Sequence, residues 1–204
     1  MPKSNIDTLV IYAPVGDVDI SLPLVPKERY AEVLACGNEK TRREKYLVWK
    51  LLERAVKERF NLDFANLKFT KTDNGQWICP DFYFSLSHTD GAACVAVSTS
   101  AVGVDIEKII SVKEGFYSRF LTGAERERLL TLDEKEREDF FLEAWVKKES
   151  LFKRDGGVCL SPRERDTLSS DAVVTRVTVG GAEYLIGLAH NANEKIEILY
   201  TEAI

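Results

Sequence analysis

Two long amphipathic segments constrain this chain most. Between about Glu39 and Phe60, Leu47, Leu51 and Ala55 form one ridge and Val48, Leu52 and Val56 its neighbour, each four residues apart. That is the period of a helix with one buried stripe. A second helix is expected from about Glu136 to Arg154, where Asp155-Gly156-Gly157 stops it. A short apolar run, Thr8 to Tyr12, precedes the first helix. Two strand-like runs follow it, Phe82 to His88 and Ala92 to Val97, joined at Thr89-Asp90-Gly91. Before the second helix Val102, Val104 and Ile106 alternate with polar or small residues. After it come apolar stretches near 172–179, 183–189 and 196–200, with Gly180-Gly181 as a hairpin turn. Strand, helix, strands, and then the same again predicts a duplicated unit, although no repeat is visible residue by residue. The polar Ser98-Thr99-Ser100 divides the halves, so the fold expected is α/β (α+β), with one unit in 1–99 and another in 100–204.

Smaller signals fill in the rest. A helical pattern starts at Pro26 and ends near Gly37, Asp73-Asn74-Gly75 reads as a tight turn, and Thr122 with Glu125 makes a capping box. The 204 residues, 45% hydrophobic and 30% charged, suit an ordinary globular chain with a proper core. A net charge of −5 argues against nucleic acid as a partner. No apolar run reaches the ~18 residues a membrane span needs, and Met1 to Asp7 lacks the core of a secretory signal. Cysteines at 36, 79, 94 and 159 form no C-x-x-C pair, which predicts a reduced, cytoplasmic setting.

Chemistry concentrates in a few places. Residues two apart on a strand face the same way, so Asp105 and Glu107 send two carboxylates to one side, Cβ atoms roughly 6–7 Å apart. Two readings stand: a solvent-facing acidic edge, or two hard oxygen donors for one divalent cation. On the second helix Glu149 falls on the stripe of Phe141, Leu142, Trp145 and Phe152, where a carboxylate is costly unless a cation or donors meet it. Lys153, one turn on, is either its i,i+4 partner or a cation for a ligand. His88 ends a strand, as a surface residue or as a donor to a phosphate oxygen. The basic run Lys40, Arg42, Arg43, Lys45 is a solvated helix face or a local phosphate anchor; Arg42 and Lys45 share a face.

Taken together, S-L-S-H at 85–88, G-V-D-I-E-K at 103–108 and W-V-K-K-E-S-L-F-K at 145–153 resemble the signature of the 4′-phosphopantetheinyl transferase superfamily. The likeness is to the longer, monomeric kind that serves peptide and polyketide synthetases, and it spans roughly residues 40 to 165. It implies Mg²⁺-dependent transfer of 4′-phosphopantetheine from coenzyme A to a serine of an apo acyl carrier protein or peptidyl carrier domain. It also implies two similar α/β halves forming a pseudo-dimer, the cofactor lying in the cleft between them. The half 1–99 would take the adenosine and 3′-phosphate side, and 100–204 the metal and pyrophosphate side. By matched position Asp105, Glu107 and Glu149 would be metal ligands. Lys153 would meet the phosphates or assist the leaving group, and Glu149, directly or through water, would be the base. Ser87 and His88 would hold the phosphate end of coenzyme A. Lys45 would serve the 3′-phosphate, with Lys40 and Arg42 nearby in a region that aligns only with a gap. The chain departs from the pattern at Gly75-Gln76-Trp77, where the family usually has Gly-Lys-Pro. Two rival readings are another Mg²⁺-dependent phosphotransferase or nucleotide hydrolase, disfavoured by the lack of a P-loop, and a non-catalytic carrier-binding module.

Overall fold

A computed structural model describes residues 5–112, 114–157 and 161–202; Cys159 and the first four residues lie outside them. Strand β1 (Thr8–Pro14) leads through helix α1 (Lys27–Leu34) to α2 (Glu39–Phe60). Asn38 caps α2, its side chain accepting from the Thr41 amide at 2.9 Å, and Asn61 ends it in the left-handed region. A small hairpin, β2 (Thr70–Lys71) with β3 (Trp77–Ile78), precedes β4 (Tyr83–Thr89) and β5 (Ala92–Ser98). The second half opens with β6 (Gly103–Lys108), then α3 (Tyr117–Phe120), α4 (Gly123–Leu130) and α5 (Glu134–Arg154). It closes with β7 (Val173–Val179), β8 (Ala182–Ala189) and β9 (Ile196–Tyr200). Helix α5 starts two residues before the expected Glu136. Asp133 and Glu136 form a capping box, the Asp133 side chain accepting from the Glu136 amide at 2.9 Å.

The two halves share one strand order. In the first half β1, α2, β4 and β5 give a sheet ordered β4-β5-β1, antiparallel throughout. In the second, β6, α5, β7 and β8 give β7-β8-β6, the same order with the same antiparallel pairings. Each long helix lies on the outer face of its own sheet. Strand β9 breaks the symmetry: it crosses back and lies parallel to β1, adding a fourth strand to the first sheet.

The inner faces of the two sheets pack on one another. Val10, Cys94 and Ala96 of the first meet Val104, Ile106, Ile186 and Leu188 of the second in one buried cluster. The outer face of the first sheet, with Leu9, Ile11, Val95 and Val97, packs under α2 around Trp49. Strand β5 is covered on both sides, which is why Ala92 to Val97 is an unbroken apolar run. Gly180 and Gly181 both take positive φ, 56° and 82°, as the tight β7–β8 turn requires. Among the described residues no helix is long and apolar enough to cross a membrane.

Candidate active site at the seam between the halves

Strands β4 and β6 are the outer strands of their sheets and run side by side without a backbone ladder. Serines of β4 make the join. The Ser85 hydroxyl accepts from the Val104 amide at 2.9 Å, and the Ser87 hydroxyl from the Ile106 amide at 3.3 Å. The period of two in S-L-S thus matches the period of two in V-D-I. Both serines are buried, and each satisfies an N–H group that an uncovered edge would leave without a partner.

Gly103, Asp105 and Glu107 face α5. A Cβ on Gly103 would stand 1.8 Å from the Ser150 carbonyl oxygen, and one on Gly187, the strand partner of Asp105, 2.4 Å from that of Val146. Two glycines therefore let the helix lie directly on the sheet. Two residues further along β6, Asp105 is 4% exposed. Its Oδ1 accepts from Lys153 Nζ at 2.7 Å and from the Ser87 hydroxyl at 2.7 Å, while Lys153 Nζ also donates to the Val104 carbonyl at 3.0 Å. Its Oδ2 is buried with no hydrogen-bond partner. Glu107 accepts from the Thr89 hydroxyl at 2.9 Å and from Trp145 Nε1 at 3.4 Å.

Glu149 is half-buried beside this group. Burial, and then the charge of Asp105, raise its carboxyl above the ordinary range, and the same two causes raise that of Glu107. Glu107 and Glu149 thus each feel the charge of Asp105, one oxygen of which is buried and lacks a partner. Among the described residues no three His, Cys, Asp or Glu side chains already close into a metal cluster. The donor set, all carboxylate oxygen and half-enclosed, is nonetheless of the kind that a hard divalent cation takes.

His88 lies on the first-half side of the seam, its Nδ1 3.2 Å from Glu44 Oε2. Burial, then the positive charges of Lys153, Arg29 and Lys45, push its pKa down to about 4. Burial moves Glu44 the other way, upward, so both shifts favour uncharged forms. In the unfolded chain this histidine takes its proton near 6.5. Between pH 4 and 6.5 the unfolded state therefore binds more protons, and stability falls as pH drops through that window. NMR titration should place the His88 ring near 4. His88→Gln should remove that part of the acid destabilisation, about 3 kcal/mol at most.

The other basic residues are placed variously. Lys45 lies close enough to depress His88, and its carbonyl accepts from buried Arg29 at 3.0 Å. Arg42 donates to the Cys36 carbonyl at 2.6 and 3.0 Å. Lys40 is exposed and pairs with Asp90, which Lys108 approaches at 3.5 Å from the second half. A cavity of about 500 Å³ opens here, lined by Lys40, Arg43, Glu44 and Asp90. At the other end of the seam a cavity of about 260 Å³ lies between Gln76, Trp77 and Leu86 of the first half and Phe152 and Lys153 of the second. Gln76, where the motif departs from the family, donates from Nε2 to the Lys153 carbonyl at 3.3 Å.

Residues 101–183, which hold β6, α5 and the seam acids, match the model of the 4′-phosphopantetheinyl transferase superfamily. The resemblance read from the motifs is borne out. A 4′-phosphopantetheinyl transferase ffp of Bacillus subtilis is 30% identical over 109 residues, 52% of this chain and 49% of the relative. The 4′-phosphopantetheinyl transferase gsp of Aneurinibacillus migulanus is 27% identical over 133 residues, 65% of this chain and 56% of the relative. This chain thus spans about half the length of the curated transferases it matches. The solved holo-acyl-carrier-protein synthase of Thermotoga maritima is 22% identical, with a TM-score of 0.34 over 43% of this chain and 61% of that one, a superposition too partial to bear on the fold.

The sequence assigns no role to Ser85, Thr89, Gly103 and Gly187, none of which carries reactive chemistry. Their signal was positional: a small or hydroxylated residue in step with the acidic strand.

Proposed function

We propose that this chain transfers the 4′-phosphopantetheine moiety of coenzyme A to a serine of an apo acyl carrier protein or peptidyl carrier domain, with Mg²⁺, as a cytoplasmic monomer. The observation that supports this most is the buried Asp105, one oxygen of which has no partner and whose charge reaches both Glu107 and Glu149, inside the region that matches the superfamily. Those three carboxylates would hold the Mg²⁺, which when bound supplies neutralisation of the charge that builds on the pyrophosphate. The first half, 1–99, would take the adenosine and 3′-phosphate through Lys45, with Lys40 and Arg42 at its margin, while Ser87 and His88 would hold the phosphate end of coenzyme A. The second half, 100–204, would take the pyrophosphate.

The chain's own residues have separable tasks. Thr89 and Trp145 orient Glu107, and the Ser87 hydroxyl fixes the rotamer of Asp105 at the phosphate end. Lys153 brings an ammonium to the phosphates, where charge develops. The carrier serine oxygen forms a bond to the β-phosphorus. The bond from that phosphorus to the bridging oxygen breaks, and 3′,5′-adenosine diphosphate leaves. The serine proton passes to Glu149, directly or through water, and the water route is favoured because a bound cation would lower the carboxylate's own basicity.

The test is incubation with coenzyme A, Mg²⁺ and a panel of apo carriers, reading each carrier's mass. Wild type should add the phosphopantetheine mass to at least one carrier. Asp105→Ala and Glu149→Ala should each lower the rate by about a hundredfold or more while circular dichroism stays unchanged. Near-wild-type transfer by either variant would contradict the ligand assignment.

A further inference from the structure

Lys153 and a divalent cation want the same carboxylate. The lysine ammonium is 2.7 Å from Asp105 Oδ1 and 3.0 Å from the Val104 carbonyl, with its side chain 24% exposed. The other oxygen of Asp105, Oδ2, is buried and has no partner. A cation bound at either oxygen would stand within one carboxylate's width of the ammonium. Like charges that close, away from bulk water, repel enough to shift an equilibrium by about tenfold or more.

We infer that Lys153 is an internal counter-ion of Asp105 that a divalent cation displaces, so that metal binding at the seam releases the ammonium toward the incoming phosphates. This rests on the metal-centre reading above and adds a regulation to it. Three features of the seam favour the exchange. Lys153 sits in the last turn of α5 with its side chain partly exposed, so the long flexible chain can swing while the helix stays packed. Lys153 also lines the cavity of about 260 Å³ between the halves, so a released ammonium has somewhere to go. Ser87 continues to hold Asp105 Oδ1 when the lysine leaves, so the carboxylate keeps its orientation. The lysine therefore shields the buried carboxylate until the metal replaces it, and then serves the second anion to arrive.

The experiment is direct binding of Mn²⁺ without coenzyme A, followed by electron paramagnetic resonance, on wild type, Lys153→Met, Lys153→Arg and Asp105→Ala. Lys153→Met should bind Mn²⁺ at least about tenfold more tightly than wild type, and Lys153→Arg, which keeps the charge, should stay close to it. Equal or weaker binding by Lys153→Met would overturn the inference and leave the metal centre standing. Undiminished binding by Asp105→Ala would instead remove the metal centre itself. Should Lys153→Met fold poorly, lysine Nζ NMR on the wild-type chain decides the matter. The Lys153 resonance, assigned by its loss in Lys153→Arg, should move as Mg²⁺ is added. A resonance unmoved at saturating Mg²⁺ would refute the exchange.

Discussion

Gly103→Ala should unseat α5 and disable the site without touching a reactive group. The added methyl would stand 1.8 Å from the Ser150 carbonyl oxygen and 2.5 Å from the Arg154 amide nitrogen. Both are backbone atoms of one helix, so no side chain can rotate aside and the helix must lift. Overpacking a closed core costs about 1–3 kcal/mol when side chains can give way, and more when they cannot; about 3 kcal/mol or more is expected here. Glu149 and Lys153 ride on that helix, so the loss should extend beyond stability. The check is a denaturant melt read beside Mn²⁺ binding. The midpoint should fall steeply, and metal affinity should drop even where the variant is still folded. A stable variant with unchanged metal binding would mean that α5 does not need the close approach.

The second large effect lies one residue from the acidic site and has nothing to do with its chemistry. Lys148, 4% exposed, pairs with wholly buried Glu125 at 2.8 Å and donates to the Pro162 carbonyl at 2.8 Å and to that of Arg165. Glu125 accepts in addition from the Thr122 amide at 2.8 Å and from the Thr167 amide and hydroxyl at 2.9 and 2.6 Å. This network ties α4, α5 and the segment around 162–167 together. Removing one partner strands a charge in the interior, so Lys148→Ala should cost about 3–5 kcal/mol in chemical denaturation. Lys148→Arg is no rescue, because the three acceptors fit a compact ammonium and not a planar fork. For Glu125, burial pushes the carboxyl up, but Lys148 and Thr167 outweigh it and the net shift is downward. Its stabilisation is therefore present above the ordinary carboxylate range, near pH 4.3, and is lost as pH falls through its depressed folded value. Glu125→Gln should flatten the acid limb of the stability profile there.

Much of this was legible beforehand, for a physical reason. The four-residue ridges of α2 and the stripe of α5 report burial on one face, and both helices appear where those patterns lie. The acidic strand and the helix glutamate were legible because a carboxylate on an apolar face needs an explanation. Other features leave little trace in composition. Glu125 was read as half of a capping box, which it is, but nothing local shows that its second oxygen serves residues forty positions away. Lys148 stands in a K-K-E run that carries no local sign of burial, since its partners lie in a segment farther along the chain. Nothing local announces that the Ser87 hydroxyl, expected at the phosphate end of coenzyme A, also accepts from the Ile106 amide and donates to Asp105. The parallel pairing of β9 with β1 spans nearly the whole chain, beyond the reach of any local periodicity.

That last pairing changes what the duplication amounts to. Cutting the molecule between its repeats would not yield two independent pieces. The leading fragment would show the bare flank of its first strand, and the trailing one would carry a ribbon with nothing to lie against. The terminal strand acts as a buckle, fastening the two similar halves to one another through the first sheet.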